Sequence, residues 1–491
     1  MKKTTPFLTG FSTHLFGSAK RCAQDIVAQK RQSLIEGTLD LQQQFLEEVP
    51  PELLDRHSGT ERSRHYPDRL TFWAFFSQVA SDDASCAAAV ARVQAWAEQR
   101  GLPVPSENTG AYCQARSDLP VAMLRAVNDS LLGQLDAHLP ESGHWRGLRP
   151  RGEDGTSAQM PDTPTNREKY PYPPNQKQGC GFPVVKLGGL IDLSHGGLRE
   201  FASSDINTSE LSNHRELEAN LRAGDVFIAD RYYSSYELMH RHLSKGIHFI
   251  GRPHQARKID FRKGKKIGPN ERLVVWKKQR YAPNGSKLTE EQWQALPEEM
   301  KVRLIRCKGP DREGKQRTRY IATTLLDPIA HPADEVASLY LHRWEIEVRF
   351  RDIKTTLGME MLHTKSPAMI EKELLMHQIV YNLMRLVMLK AATEHGVNHR
   401  RLSFRGVQQV VLAFVDNFRG MANRPILRMQ QRAKMWLRVA ERIVLERPGR
   451  NEPRRVKRRP KCTQWLQKPR HEYFEHFQSE YPPMKILDKH A

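Results

Sequence analysis

The short run Val226–Ala229 constrains the fold most. In GDVFIADRYY, four apolar residues, β-branched and aromatic among them, stand between Asp225 and Asp230. A short apolar block with polar flanks reads as a buried strand. A helix over about 234–245 follows, and IHFIGR, from Ile247, reads as the next strand. Strand, helix and strand in this order belong to an α/β sheet. Asp230 then sits at the carboxyl end of its strand, where open α/β sheets place their ligands. Asp225, beside Gly224 at the other end, reads as turn chemistry.

A second constraint is the helical segment Tyr340–Lys354, YLHRWEIEVRFRDIK. On one continuous helix, Tyr340, Arg343, Glu347 and Lys354 share a strip about 60° wide at 3.6 residues per turn. Ile346, Phe350, Ile353 and Leu357 form an adjacent apolar strip that can face a core. One carboxylate among donors suited to phosphate suggests a helix that holds a metal ion and a nucleic-acid backbone together. The plain alternative is a salt-bridged surface helix, since Glu345, Arg349, Arg351 and Asp352 are also present. Glu345 and Asp352 are the competing acids, and the same spacing points them away from the strip.

A third acid is expected upstream. Asp154 lies in EDGTSAQMPDTPTN, preceded by the polar LRPRGE, which contains Pro150 and is a poor strand by propensity. Asp162, flanked by prolines, reads as a turn residue, and Glu153 is a weaker candidate. Three carboxylates gathered from distant positions are stable together only if protonated or bridged by cations. Hard oxygen ligands select Mg²⁺ or Mn²⁺. Two such ions about 4 Å apart can serve an in-line phosphoryl displacement.

The spacing Tyr-x2-Arg-x3-Glu-x6-Lys, the DGT box with its downstream PDTPxN, and the ADR at Asp230 fall in an order that resembles the insertion-sequence-four family of bacterial transposases. NTGAYCQAR, Asn108–Arg116, and the basic tail RPGR…KRRPK…KPR extend the resemblance over most of the chain. It implies an α/β fold, with a ribonuclease-H-like catalytic core interrupted by a mainly β insertion. The domains expected are an N-terminal helical, DNA-end-binding domain (1–140), the first part of the catalytic domain (141–252), the β insertion (253–332), the last catalytic helix with the following core helix (333–395), and a helical, basic C-terminal region (396–491). It implies that Asp154, Asp230 and Glu347 are catalytic and ligate two Mg²⁺ or Mn²⁺ ions. Tyr340, Arg343 and Lys354 would hold DNA phosphates. The activity implied is metal-dependent cut-and-paste transposition, with hydrolytic cleavage at the element ends and strand transfer into target DNA. The partners implied are double-stranded DNA, both terminal inverted repeats and target, and a second copy of the chain as a homodimer on DNA. A nuclease that cuts without joining, or an inactive DNA-binding repressor, are the alternatives.

The rest of the sequence is compatible with this. Lys and Arg outnumber Asp and Glu by 77 to 56, a formal net charge of +21, which suits a polyanionic partner. Six cysteines form no CxxC pair, so neither a zinc knuckle nor a disulfide scaffold is expected, and a reduced cytoplasmic setting is. No run approaches the length of a membrane span, and the N-terminus does not read as a signal peptide. Residues 1 to about 140 read as mainly helical. Between 253 and 330, LVVW, VRLIRC and YIATTLL alternate with charged turns, which suggests antiparallel strands. KGKKIGPNER and PDREGKQRTR look like basic hairpin tips. HQIVYNLMRLVMLKAA reads as a core helix, and the Pro-interrupted basic tail as an extended DNA anchor. The histidines of HEYFEH are not spaced as the i, i+4 pair of a zinc protease helix, and no GxxxxGK[ST] loop occurs.

Overall fold

The computed structural model describes residues 40–446, apart from 59–64, 140–143, 175, 178, 284–285, 287, 311–315 and 422, together with 466–469 and 472. The N-terminal 39 residues and nearly all of the basic tail, including HEYFEH apart from Glu472, lie outside the described residues. The chain divides into two compact units, one of residues 1–138 and 375–443, the other of 139–374 and 444–491.

The second unit is a mixed α/β structure around a nine-stranded sheet. Its strands are β1 (Arg149–Gln159), β2 (Val184–Asp192), β3 (Leu198–Asp205), β4 (Asp225–Ala229), β5 (His248–Gly251), β6 (Lys265–Gly268), β7 (Glu271–Lys277), β8 (Glu299–Pro310) and β9 (Gln316–Thr323). Their order across the sheet is β3-β2-β1-β4-β5-β9-β8-β7-β6. β1, β2 and β3 form an antiparallel meander, β4 and β5 run parallel to β1, and β9 to β6 return antiparallel. The antiparallel strands expected between 253 and 330 are β7, β8 and β9, and with β6 beyond them they extend the same sheet through the pairing of β5 and β9.

β1 forms although its sequence is polar. Strands on both sides claim its backbone groups. Its buried Arg151 is paired with Asp192, and with Asp225 at 3.4 Å. A paired charge in the interior is tolerated where an isolated one is not. Tertiary pairing overrides the weak strand propensity here.

Helices cover both faces. Side chains alternate along a strand, and β1 shows which helix lies on which side. A Cβ at Gly152 would come within 2.5 Å of Ile346, whereas one at Gly155 would meet Glu210. The helix Arg343–Arg351 therefore packs on one face and the helix Glu210–Leu217 on the other. Gly189 of β2 opens room for Phe350, whose ring stands 2.8 Å from where a Cβ would be. On the opposite face Phe227, Phe249, Leu217, Leu238 and Met239 form a buried core that continues to Trp276, Val302 and Leu304.

The other unit is helical. It combines Asp68–Ala80, Cys86–Gln99, Gly110–Asp118 and Val121–Ala137 with Phe404–Ala413, Pro425–Ala440 and the greater part of the helix Pro367–His395. Phe45, Phe72, Trp73 and Phe76 make its aromatic centre. Buried polar groups are matched across it, as where Asn382 Nδ2 donates to Asn128 Oδ1 at 2.7 Å.

Candidate active site

β1 and β4 are neighbours, and their last parallel pair is Gly152 with Ile228. Two residues further along each strand stand Asp154 and Asp230, so this register brings the two carboxyls to one end of adjacent strands. Such strands lie about 4.8 Å apart. Asp230 directly follows β4 and caps the 3-10 turn Arg231–Tyr233, its carboxylate accepting from Tyr232 N at 2.7 Å. Asp154 accepts from Gly155 N at 2.8 Å. β1 does not stop at Asp154. It continues to Gln159 against β2 alone, so the acid sits where β1 leaves its parallel neighbour rather than at a strand terminus.

The third acid comes from the helix on the same face as Asp154. Ile346, fully buried against Gly152, fixes the rotation of Arg343–Arg351. One turn before Glu347, Arg343 reaches both acids, with Nη1 3.6 Å from Asp154 and Nη2 3.5 Å from Glu347. This single guanidinium among three carboxylates leaves negative charge uncompensated. Burial pushes the Asp154 carboxyl up to about 6, Gly155 N–H and Arg343 hold it down, and Asp230 and Glu347 raise it further. Tyr340 is pushed up by burial, while Arg343 and Arg252 lower it and Asp230 raises it.

The helix is less continuous than its sequence suggests. It divides into Ala333–Leu341 and Arg343–Arg351 at His342, whose N–H bonds to Leu339 O in a tighter turn and whose Nδ1 lies 2.6 Å from Glu345. Beyond Arg351 the chain widens into a π turn, Asp352–Thr356. Lys354 lies in that turn, half-buried. Among the described residues it forms no ion pair with the three acids, and the 3.6-residue spacing no longer gives its direction.

The rival acids are engaged elsewhere. Glu345 pairs with His342 and Arg349, and Asp352 with Arg349. Asp162 accepts from Tyr172 and faces Arg167 in a turn. Asp225 is buried at the far end of β4, paired with Arg149 at 2.9 Å and accepting from Arg222 N. Glu153 points to the opposite face, bonded to His214. An open cleft of about 430 Å³ adjoins Asp230, lined by Lys186, Glu210, Arg231, Tyr232, His254 and Gln255 among others.

A family model described as "Transposase DDE domain" matches residues 154–383, beginning on Asp154 itself. The transposase InsG of insertion sequence element IS4 from Escherichia coli K12 is 28% identical over 426 residues, 82% of this chain and 91% of that protein. This chain is a DNA transposase similar to that of insertion sequence four. As a DDE-domain transposase it is a DNA-cleaving and strand-transferring enzyme. A cryo-EM structure of the piggyBac transposase synaptic complex with hairpin DNA aligns with 85% of this chain and 88% of that one, at 10% identity and a TM-score of 0.40.

Sequence reasoning missed parts of the transposase's site. Arg252 follows directly on β5 and acts electrostatically on Tyr340. Its only signal is the position of GR at the end of a strand beside the one that bears Asp230. The PDTPTN segment also has a structural purpose. Asn166 Nδ2 donates to Pro161 O and Thr364 O, Thr163 Oγ1 donates to Lys365 O, and Gln159 bridges to Met361. These bonds tie the chain that follows the Glu347 helix to the end of β1.

Proposed function

We propose that Asp154, Asp230 and Glu347 are the transposase's catalytic triad and ligate two Mg²⁺ or Mn²⁺ ions. The observation that carries this is the register that sets Asp154 across from Asp230, with Arg343 bridging Asp154 to Glu347. The donor set fits the ions. It is all oxygen and carries three potential negative charges beside the Arg343 guanidinium, and the Asp154 carboxyl is raised first by burial and further by Asp230 and Glu347. When bound, such ions supply an activated attacking oxygen and neutralise the leaving oxygen of an in-line displacement. The protein's own groups position the DNA. Arg343 and Tyr340 hold non-bridging phosphate oxygens at the scissile bond, and Lys354 holds a flanking phosphate. The cleft beside Asp230, with Lys186, Arg231 and His254 on its walls, takes the strand that leaves the site.

The architecture supports the same reading. The strand order β3-β2-β1-β4-β5, with an antiparallel meander followed by two parallel strands, is that of a ribonuclease-H-like core. Residues 253–332 act as its β insertion, 1–140 as the DNA-end-binding segment, 333–395 as the last catalytic helix and its successor, and 396–491 as a basic DNA-anchoring region. Among the described residues no helix is long and apolar enough to cross a membrane. The transposase works on bacterial nucleoid DNA in the cytoplasm, as a homodimer that pairs the two element ends. It excises the element and inserts it elsewhere.

The test is cleavage of a labelled duplex carrying the inverted repeat that flanks the gene, with Mg²⁺ or EDTA. Wild type forms a 3′-hydroxyl at the repeat boundary and then joined target products. Glu347→Gln and Asp230→Asn do neither while still binding the duplex. Cleavage that persists in either variant would remove that residue from the triad, and cleavage without joining would leave a nuclease.

A further inference from the structure

Behind the acids, on the opposite face of the sheet, lies a buried polar chain that none of the roles above uses. Glu153, 1% exposed, precedes Asp154 on β1 and points away from it. Its Oε2 lies 2.6 Å from His214 Nδ1, and His214 Nε2 lies 3.1 Å from His242 Nε2. Both histidines are completely buried. They come from different helices, Glu210–Leu217 and Tyr236–Ser244. The ring of Phe227 on β4 is enclosed by His214, His242 and Tyr233, at centroid distances of 4.9, 4.9 and 5.8 Å. Tyr233 closes the turn that Asp230 caps, and after burial itself it is Glu153 that most raises its hydroxyl pKa.

The hydrogen-bond directions follow from these partners. A carboxylate oxygen accepts, so His214 Nδ1–H donates to Glu153. Burial pushes His242 down to about 2, which leaves it neutral with its one proton on Nε2, donating to His214 Nε2. The remaining nitrogen, His242 Nδ1, is then a bare acceptor, in keeping with its lack of a partner. A cation between the two rings is the competing arrangement, because Glu218 also lies close. Glu218 is already bonded by Arg241, 2.8 Å away, and by Lys245, also at 2.8 Å. Two positive charges at that carboxylate oppose a metal ion.

We infer that His214 and His242 are positioning residues, which hold β1 and β4 to each other through Glu153 and Phe227 and thereby set the separation of Asp154 and Asp230. The inference rests on the triad proposed above. A buried chain with one defined proton arrangement specifies geometry more sharply than apolar packing does. Small errors in the placement of metal ligands are costly to activity. The chain ties β1, at the residue beside Asp154, to two helices, and its two rings pack on Phe227 of β4, three residues before Asp230.

The experiment uses the full-length transposase and the inverted-repeat duplex. Four quantities are read: Mn²⁺ binding without DNA, from the spin-resonance signal of free Mn²⁺; duplex affinity in EDTA; single-turnover cleavage rate; and thermal midpoint. His214→Ala is expected to slow cleavage at least tenfold and to raise the Mn²⁺ concentration for half-binding at least threefold, with duplex affinity within twofold of wild type. His214→Asn keeps a donor near the Nδ1 position, and His242→Gln one near Nε2. Both should recover most of the rate and of the Mn²⁺ affinity, and they remain informative if His214→Ala does not fold. Unchanged rate and Mn²⁺ affinity in a folded His214→Ala would overturn the inference. So would a loss of rate that merely tracks the thermal midpoint, or stoichiometric zinc in the purified wild type. Asp154→Asn, run alongside, separates the two readings: if it keeps full Mn²⁺ binding and cleavage, the triad itself is wrong.

Discussion

Replacing Asp154 by Asn should stabilise the metal-free transposase while abolishing cleavage. The carboxyl is raised from 3.8 to about 6, chiefly by burial, with Asp230 and Glu347 adding to it. At about 1.4 kcal/mol per pH unit this amounts to about 3 kcal/mol against the charged form. The side chain remains 30% exposed, so screening reduces the expected effect to about 1–2 kcal/mol. The sign follows from proton counts. Between about pH 4 and 6 the unfolded chain has released this proton while the folded chain keeps it, so stability falls as pH rises through that window. The penalty is complete above pH 6 and absent below pH 4. Asn carries no charge, and its amide oxygen can still accept from Gly155 N–H. The assay is thermal unfolding in EDTA at pH 8, 6 and 4. The variant should melt about 2–6 °C above wild type at pH 8, less at pH 6, and level with it at pH 4. Added Mg²⁺ should raise the midpoint of wild type and leave that of Asp154→Asn in place. A variant that is less stable at pH 8, or equally shifted at every pH, would refute the reasoning.

Other outcomes follow from the packing and the charges. Ile346→Ala empties a fully buried position between the catalytic helix and Gly152; it should cost about 2–5 kcal/mol in chemical denaturation and reduce cleavage more than duplex binding. Gly189→Ala places a methyl 2.8 Å from the Phe350 ring, with an expected loss of about 1–3 kcal/mol by overpacking, read as a lower thermal midpoint. Arg252→Ala removes a positive charge that acts on Tyr340; if that charge also meets the DNA, cleavage should slow about tenfold to a hundredfold, the worth of one charge-assisted hydrogen bond, with the thermal midpoint unchanged. EDTA should stop cleavage completely and leave duplex retention in gel shifts intact.

The elements legible in the sequence were those whose stabilisation is local. The apolar run of β4 and the alternating strands β7 to β9 both carry their signal within a few residues. β1 was illegible as a strand because it is held by its neighbours and by the Arg151 pairs with Asp192 and Asp225. The break at His342 and the π turn at Asp352–Thr356 were hidden for a similar reason. Helical arithmetic presumes regular turns, and it carries Arg343 and Glu347 correctly onto one side but fails at Lys354. The Glu153–His214–His242 chain had no sequence signal, since its members lie 61 and 28 residues apart.

The manner in which β9 rejoins the sheet has a consequence for what can vary in this enzyme. The polypeptide leaves β5 at Gly251, builds the outer strands β6 to β8 and comes back beside β5, with Gly251 paired to Ala322 and Ile250 to Thr323. Departure and return share one doorway. Whatever lies between them can lengthen, shorten or be exchanged while both sides of the doorway keep their places. The helix that bears Glu347 starts from the returning side, and Asp230 directly follows the strand next to the departing one. The excursion is thus a cassette whose outer strands can adapt to different DNA surroundings while the spacing of the acids stays the same.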